Sequence, residues 1–306
     1  MKYFKTEASH LAPRYEITSK NFEVHTGRLQ PFEQSNESGG LSAYGICPSC
    51  LNPILLKGIE REIKVRPHGA HAGKYIKGLP VWNQQKYEYC PFAKRKDYRE
   101  PNEKDLLEID DGVIELYNLL KNQFDRVVYI LSHEFEVKFS TRFWRVALTQ
   151  YLKSHVYCYP WLTEANLPYV FAYRGMQQQN IWGEKFLVGS ELYNAIVIHP
   201  NVNFVEPSKT DDNISDRIYA RLDNKDSFLM LQFRFTNHRQ KATDGETLCE
   251  SMDFYVDDLI SGDILYKRTI EFSETYFVNL INKIDNEKNR QQWLLDIATE
   301  LMPEIN

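Results

Sequence analysis

The feature that most constrains this sequence is a group of cysteines and histidines within residues 44–90. A Cys-x-x-Cys motif comes first, two histidines three residues apart follow, and a third cysteine closes the segment: Cys47, Cys50, His68, His71 and Cys90. Thiolate sulfur and imidazole nitrogen are the ligands of structural zinc sites, and a Cys-x-x-Cys turn supplies two of the four ligands at once. The segment therefore predicts a structural Zn²⁺ module.

The candidate ligands outnumber the four that a tetrahedral zinc site uses, so the sequence leaves the ligand set open. Cys47 and Cys50 could bind the metal with both histidines, which would leave Cys90 unused. Alternatively, all three cysteines bind together with one histidine. We favour this set with His71, because the Cys-Pro pair at residue 90 repeats the one at residue 47. A catalytic zinc site is less favoured, because such sites carry fewer thiolates and keep one position open.

The composition is typical of a globular protein with a sizeable core. The chain has 306 residues, of which 42% are hydrophobic and 13% aromatic, enough for one large domain or two ordinary ones. The odd number of cysteines, five, favours a metal site over a framework of disulfide bonds. The sequence contains no run of about 18 apolar residues, and its first residues lack the apolar centre of a signal peptide. We therefore expect a cytoplasmic protein without a membrane partner.

We predict an α+β fold, in which a small zinc-stapled N-terminal module precedes a mixed, largely antiparallel sheet domain with C-terminal helices. Residues 227–235 and 250–256 alternate as the strands of a long antiparallel hairpin do, whereas residues 273–284 and 286–302 show helical periodicity. We place a domain boundary near residue 100. The predicted parts are an N-terminal segment (1–100), the zinc module within it (41–100) and an α+β domain (101–306).

Charge is unevenly distributed along the chain. Residues 1–100 carry 16 Lys and Arg against 10 Asp and Glu, a net charge of +6, and because the whole chain carries −5, the remainder carries −11. Basic and aromatic residues are interleaved at the end of the zinc module; basic side chains contact phosphates, and aromatic rings stack on bases. We therefore expect the N-terminal third to contact DNA or RNA. Alternatively, it faces the acidic remainder of its own chain, or that acidic part binds a protein partner.

A second candidate site lies in two segments that we predict to be strands, residues 125–131 and 134–139. In the second segment Glu136 and Lys138 are two residues apart, so a strand would place both side chains on one face. Together with Asp125, this pair could hold Mg²⁺ and position a water molecule for phosphodiester hydrolysis. The simpler alternative is that Glu136 and Lys138 form an ion pair on an exposed strand.

Two parts of the chain, residues 44–71 and 125–160, resemble CoiA-like competence proteins. The residues that carry the resemblance are Cys47, Pro48, Cys50, Pro67, His68, Ala70, His71, Glu136, Lys138, Arg145 and Tyr151. The resemblance implies a bacterial protein with a zinc-finger-like start that continues into a restriction-nuclease-like domain. In that domain, Glu136 and Lys138 would lie on the active-site strand.

The sequence lacks the motifs of the commonest nucleotide-binding and hydrolase sites. It contains no Gly-x-x-x-x-Gly-Lys-Ser/Thr phosphate loop, no Gly-x-Gly-x-x-Gly, no Gly-x-Ser-x-Gly elbow and no His-Glu-x-x-His. Two functions remain. The first is a zinc-containing, nucleic-acid-associated protein that is a metal-dependent nuclease or a degenerate relative of one. The second is a non-enzymatic, zinc-stapled binding or protein-interaction module.

Overall fold

A computed structural model of the chain confirms the α+β fold. It describes residues 1–36, 38–59, 66–94, 99–205, 217–223, 230–243, 247–283 and 290–305. In this part of the chain, helices alternate with small antiparallel sheets. The first residues of the predicted strand at 227–235 and of the predicted helix at 286–302 lie outside the described residues.

Short strands and two short helices make up the described residues before residue 100. One sheet pairs β1 (Tyr3–Phe4) with β2 (Tyr15–Glu16). A second, four-stranded antiparallel sheet has its strands in sequential order: β3 (Glu33–Ser35), β4 (Leu41–Ile46), β5 (Pro53–Lys57) and β6 (His68–His71). The helices are α1 (Ser19–Thr26) and α2 (Gln84–Glu88).

Local hydrogen bonds fix the ends of these two helices. The Thr18 side chain accepts from the backbone nitrogen of Asn21 at 3.1 Å, and the Asn83 side chain accepts from that of Lys86 at 2.9 Å. Both bonds satisfy N–H groups that the first turn of a helix leaves unpaired. Gly27 ends α1 at a φ of 59°, a left-handed conformation that glycine adopts without steric cost.

The N-terminal part has a small core of its own. Phe4, Phe22 and Ile54 are fully buried and pack in one cluster with Cys47 and Cys90. The candidate zinc ligands are therefore part of the packing that holds this module together.

The larger part of the chain is built on a helical core. Its helices are α3 (Asp111–Asn122), α4 (Phe124–Phe135), α5 (Thr141–Lys153), α6 (Leu167–Gly175), α7 (Glu191–Val197), α8 (Tyr276–Ile281) and α9 (Gln292–Leu301). The central helix α4 packs against α6, α8 and α9, and α5 packs against α6 and α9. The two C-terminal helices, α8 and α9, therefore pack against the helical core, in agreement with the predicted C-terminal helices.

Two antiparallel sheets flank these helices. The first has the order β7-β8-β10-β9 and is formed by β7 (Val137–Lys138), β8 (Lys185–Leu187), β9 (Asn203–Val205) and β10 (Tyr219–Asp223). The second has the order β11-β12-β13 and is formed by β11 (Leu231–Thr243), β12 (Thr247–Asp258) and β13 (Ile264–Glu271). The predicted long hairpin is confirmed, because Phe233 in β11 pairs with Val256 in β12. Its inner face packs on α4, where the Phe135 and Phe254 rings lie 4.8 Å apart.

The strand predictions for residues 125–131 and for most of residues 134–139 are wrong. Residues 125–131 lie within α4, whose buried apolar side chains recur every three or four residues: Phe124, Val127, Val128, Leu131 and Phe135. In the second segment only Val137 and Lys138 form a strand, β7. Glu136 instead ends α4 in a left-handed conformation with a φ of 54°. Glu136 and Lys138 therefore do not share one face of a strand.

Polar contacts join the basic N-terminal part to the acidic remainder. The Nζ atom of Lys86 lies 2.5 Å from a carboxylate oxygen of Asp110. Glu115 in α3 accepts hydrogen bonds from the Ser9 hydroxyl at 2.5 Å and from the backbone nitrogen of His10 at 2.6 Å. Part of the positive charge of the N-terminal part is therefore neutralised by a carboxylate of the remainder, Asp110. The domain boundary near residue 100 stays a prediction.

Candidate metal centre

The Cys-x-x-Cys motif lies in the tight turn between β4 and β5. The backbone nitrogen of Cys47 donates to the carbonyl oxygen of Asn52 at 2.9 Å, and that of Leu51 donates to the carbonyl oxygen of Cys47 at 3.1 Å. Leu51 adopts a φ of 57°, which reverses the chain direction directly after Cys50. The turn therefore places both cysteines at one end of the N-terminal sheet.

The other two donors reach this turn from different elements. His71 is the last residue of β6 and is paired across the sheet with Ile54 of β5. Cys90 follows α2, where its backbone nitrogen donates to the carbonyl oxygen of Tyr87 at 3.0 Å. Three separate segments of the module thus converge on one point.

The four donor atoms of Cys47, Cys50, His71 and Cys90 all lie within 4.8 Å of one another. The Sγ atoms of Cys47 and Cys90 are 3.7 Å apart, and the Sγ atom of Cys50 lies 3.2 Å from Nε2 of His71. Two thiolates bound tetrahedrally to zinc at about 2.3 Å have their sulfur atoms about 3.8 Å apart. The cluster therefore has the spacing and the ligand chemistry of a Cys₃His zinc site, and the thiols are not joined by disulfides.

Burial and mutual contact set the ionisation of the three thiols. Burial opposes ionisation of Cys47, but hydrogen bonds from Cys50, Cys90 and His71 outweigh it and hold the pKa of Cys47 well below its ordinary value. Burial raises the pKa of Cys50 and of Cys90 well above the ordinary value, and the hydrogen bond with Cys47 raises both further. A divalent cation would remove this conflict, because its charge stabilises all the thiolates that bind it.

Asn52, which the sequence does not identify as part of the site, donates a hydrogen bond to one sulfur of the cluster. It is 1% exposed, and its Nδ2 atom donates to Cys50 Sγ at 3.4 Å and to the carbonyl oxygen of Asn83 at 2.9 Å. Its Oδ1 atom accepts from the backbone nitrogen of Asn83 at 2.7 Å. Such outer contacts orient metal ligands. Its position two residues after Cys50 is the only sequence signal that could have identified Asn52.

His68, the other histidine candidate, lies outside the cluster. Its Nδ1 atom contacts the carbonyl oxygen of Arg66 at 3.1 Å. His68 and His71 are three residues apart on β6, and successive side chains of a strand point to opposite faces. The two imidazoles therefore cannot both reach the Cys-x-x-Cys turn.

The structure does not bring the predicted catalytic residues together. Asp125 lies in the first turn of α4 and is 1% exposed; its carboxylate accepts from Arg290 Nε at 2.8 Å and from Nη2 at 2.9 Å. Glu136 follows the other end of the same helix, about 16 Å away at 1.5 Å per residue. The Nζ atom of Lys138 lies 4.1 Å from the centre of the Tyr219 ring. Among the described residues, the Cys/His cluster is the one group of three or more donors close enough to share a metal ion.

Comparison of the chain with protein-family models, with curated proteins and with solved structures gives no match. The resemblance to CoiA-like competence proteins therefore stays a prediction. No described helix combines the length and the apolar character needed to cross a bilayer.

Proposed function

We propose that the protein is a non-enzymatic binding protein whose N-terminal module is held together by a structural Zn²⁺ ion. The observation that carries this proposal is the closed donor set of Cys47, Cys50, His71 and Cys90. Four protein ligands fill a tetrahedral site and leave no position for a water molecule or a substrate. Zinc at this place therefore stabilises structure and does not perform chemistry.

The position of the cluster supports a role in organising the module. Its ligands come from the turn after β4, from the end of β6 and from the segment after α2. The core around Phe4 and Phe22 is small, and small cores commonly need a metal ion or disulfide bonds for stability. In zinc modules of this kind, metal binding and folding occur together, so the ion contributes directly to the free energy of folding.

Metal-dependent nuclease activity, with Mg²⁺ at Asp125, Glu136 and Lys138, is the weaker candidate. Asp125 is neutralised by Arg290, and the helix between Asp125 and Glu136 separates the two carboxylates. A nuclease that used these residues would first have to break the buried Asp125–Arg290 ion pair.

Binding of nucleic acid without cleavage is better supported than nuclease activity. The segment between β6 and α2 exposes Lys77 and Tyr75, and the Tyr75 side chain is 60% exposed. Two of the basic residues at the end of the zinc module, Lys86 and Arg99, are paired with Asp110 and Asp105. Arg95 and Lys96 lie outside the described residues.

The zinc proposal is tested by the metal content of the purified protein and by its melting before and after chelation. We expect one zinc per chain and a lower melting temperature after chelation. Cys47→Ser should lose the metal, whereas Cys249→Ser, which changes an exposed cysteine outside the cluster, should keep it. A Cys47→Ser protein with unchanged zinc content and melting would contradict a structural zinc site.

The choice between the two functions is tested with single- and double-stranded DNA and RNA in Mg²⁺ or Mn²⁺. The binding function predicts no cleavage by the wild-type protein under any of these conditions. Metal-dependent cleavage that is lost in Glu136→Ala would establish a nuclease instead. Binding without cleavage that weakens with salt would identify nucleic acid as the partner.

A further inference from the structure

Three basic residues form a row across the sheet of order β7-β8-β10-β9. In the antiparallel register, Lys138 of β7 pairs with Lys185 of β8, and Lys185 pairs in turn with Arg221 of β10. Residues that pair directly across two strands point to the same face, with about 5 Å between their Cα atoms. All three residues are exposed, so they form a line about 10 Å long on the outer face of the sheet. We refer to Lys138, Lys185 and Arg221 as the cationic row.

The core fixes the position of the cationic row. The residues that alternate with its members along the strands are all buried: Val137, Phe186, Ala220 and Leu222. A shift of the register by one residue would turn the basic side chains into the core and the apolar ones into water. The row is therefore held at the surface by the packing of the opposite face of the sheet.

The members of the cationic row form no ion pair with any residue that the structure describes. The ion pairs in that part of the chain all involve other basic side chains. The Nζ atom of Lys138 lies over the Tyr219 ring, a contact that leaves its charge in place. Like charges directly opposite each other destabilise a sheet. The packing of this sheet thus maintains a repulsion that an anion on its outer face would relieve.

Two acidic residues close to the row in the chain face elsewhere, and a third shares its face. Glu184 is buried, and its carboxylate accepts from the Ser140 hydroxyl at 2.8 Å. Glu136 lines a cavity with Phe254, a residue of the other large sheet. Asp223 lies on β10 two residues after the last member of the row, and therefore on the same face. Of the strand residues on this face, three are cationic and one is a carboxylate.

We propose that the cationic row binds the phosphates of a single-stranded nucleic acid. A line of regularly spaced cations is complementary to a chain that carries one negative charge per nucleotide. The partly buried Tyr219 lies beside the row, and an aromatic ring next to basic residues is typical of surfaces on which bases stack. Anionic membranes, in contrast, bind clusters of about four to eight basic residues. The proposal rests on the non-enzymatic binding function proposed above and gives that function a partner and a surface.

The test is fluorescence anisotropy of zinc-loaded protein with labelled oligothymidylate and oligouridylate of about twelve nucleotides, without Mg²⁺. We expect at least one of them to bind, with an affinity that falls as the salt concentration rises. Lys185→Gln removes the central cation and should weaken binding about fivefold at about 0.1 M salt. It should also lower the slope of log affinity against log salt by about 0.7. The triple variant, with Lys138→Gln and Arg221→Gln added, should lower that slope by about 2.

A charge reversal at the centre of the row separates binding from folding. Lys185→Glu puts a carboxylate between Lys138 and Arg221 and converts two repulsive pairs into attractive ones, so the melting temperature should be equal to that of the wild type or higher. Binding should nevertheless be weaker than in Lys185→Gln. Lys153→Gln, which removes an exposed lysine at the end of α5, is the matched control and should bind as the wild type does.

Three results would overturn the proposal. The first is no binding of either oligonucleotide at about 100 µM protein, and the second is unchanged affinity in Lys185→Gln. The third is binding of polyglutamate or of phosphatidylserine vesicles as tight as that of the oligonucleotides, which would identify an acidic protein or a membrane as the partner. Zinc content and melting are measured on the same samples. A zinc-loaded, folded protein that binds no oligonucleotide refutes the cationic row as a binding surface, whereas a protein without zinc refutes the metal centre.

Discussion

The Nε2 atom of His71 lies 3.2 Å from the Sγ atom of Cys50, whereas the imidazole of His68, on the same short strand, contacts the backbone at Arg66. The alternation of side chains along β6 separates two histidines that look equivalent in the sequence. One faces the thiols, and the other faces away from them.

This difference predicts opposite results for two matched substitutions. His71→Ala removes one of four metal ligands and should lower zinc affinity by more than about 100-fold, beyond the usual effect of an outer-shell change. His68→Ala should leave zinc affinity unchanged. Competition with a chromogenic chelator measures both. Equal losses in the two variants would show that the ligand set is not the one described.

Asn52 should tune the metal centre without binding the ion. In Asn52→Asp the side chain keeps its shape and its acceptor for Asn83 but no longer donates to Cys50 or to the carbonyl oxygen of Asn83, so zinc affinity should fall about 10- to 100-fold. The same competition assay measures the change. Asn194→Asp, which alters an exposed asparagine in α7, is the control. Unchanged zinc affinity in Asn52→Asp would contradict a role of the Asn52 amide in the metal centre.

Asp125 should matter for folding. Asp125→Ala removes a buried carboxylate that accepts from Arg290 and from the backbone nitrogen of Gln291, and loss of one member of a buried ion pair destabilises a protein by about 3–5 kcal/mol. Urea unfolding measures the loss, and Asp296→Ala, an exposed change in α9, should have little effect. A variant that is as stable as the wild type but loses a metal-dependent activity would favour the catalytic role instead.

Acid should remove the stabilisation that Asp253 provides. Hydrogen bonds from Arg239, helped by Asn237 and Thr269, outweigh burial and lower the pKa of Asp253 from 3.8 to about 2. A carboxyl whose folded pKa is lowered stabilises the fold above its unfolded pKa and loses that contribution as the pH falls towards the folded value. Asp253→Asn should therefore cost about 1–2 kcal/mol at neutral pH and progressively less between about pH 4 and pH 2.

The measurement for Asp253 is the urea midpoint of wild type and variant across this pH range. Asp263→Asn, which changes an exposed aspartate near β13, should run parallel to the wild type at every pH. A difference between Asp253→Asn and the wild type that does not change with pH would contradict the ionic origin of the stabilisation.

The Cys/His cluster can be predicted from the sequence, because side chains that bind zinc occur there at the spacing of a zinc motif. Cys-x-x-Cys defines its own turn, so two ligands could be paired without knowledge of the fold. Asn52 was missed, because a single asparagine has no spacing pattern, and its role depends on contacts with Cys50 and with Asn83 thirty-one residues away. The choice between His68 and His71 is decided by the strand that carries both.

The error at residues 125–131 has a different cause. Val127, Val128 and Ile130 are β-branched, and taken as a short run they favour a strand. The wider window from Phe124 to Phe135 places its apolar residues at helical spacing, and burial against the neighbouring helices stabilises that helix. Tertiary packing therefore outweighs local preference at this position, and the predicted catalytic geometry fails with the strand.

A single helical turn, α2, carries contacts of two kinds. Gln85 Nε2 donates to the carbonyl oxygens of Asp105 and Leu106, each at 3.0 Å, and Lys86 is paired with Asp110, while Cys90 follows shortly after the helix. Because α2 is next to the cluster and contacts the acidic part, we expect zinc binding and this attachment to be linked equilibria, to which thermodynamic reciprocity applies. A molecule that competes for Asp110 would loosen the zinc by the same factor by which zinc resists that competitor. A change of zinc affinity on disruption of the Lys86–Asp110 contact would therefore measure how strongly the two parts of the chain are coupled.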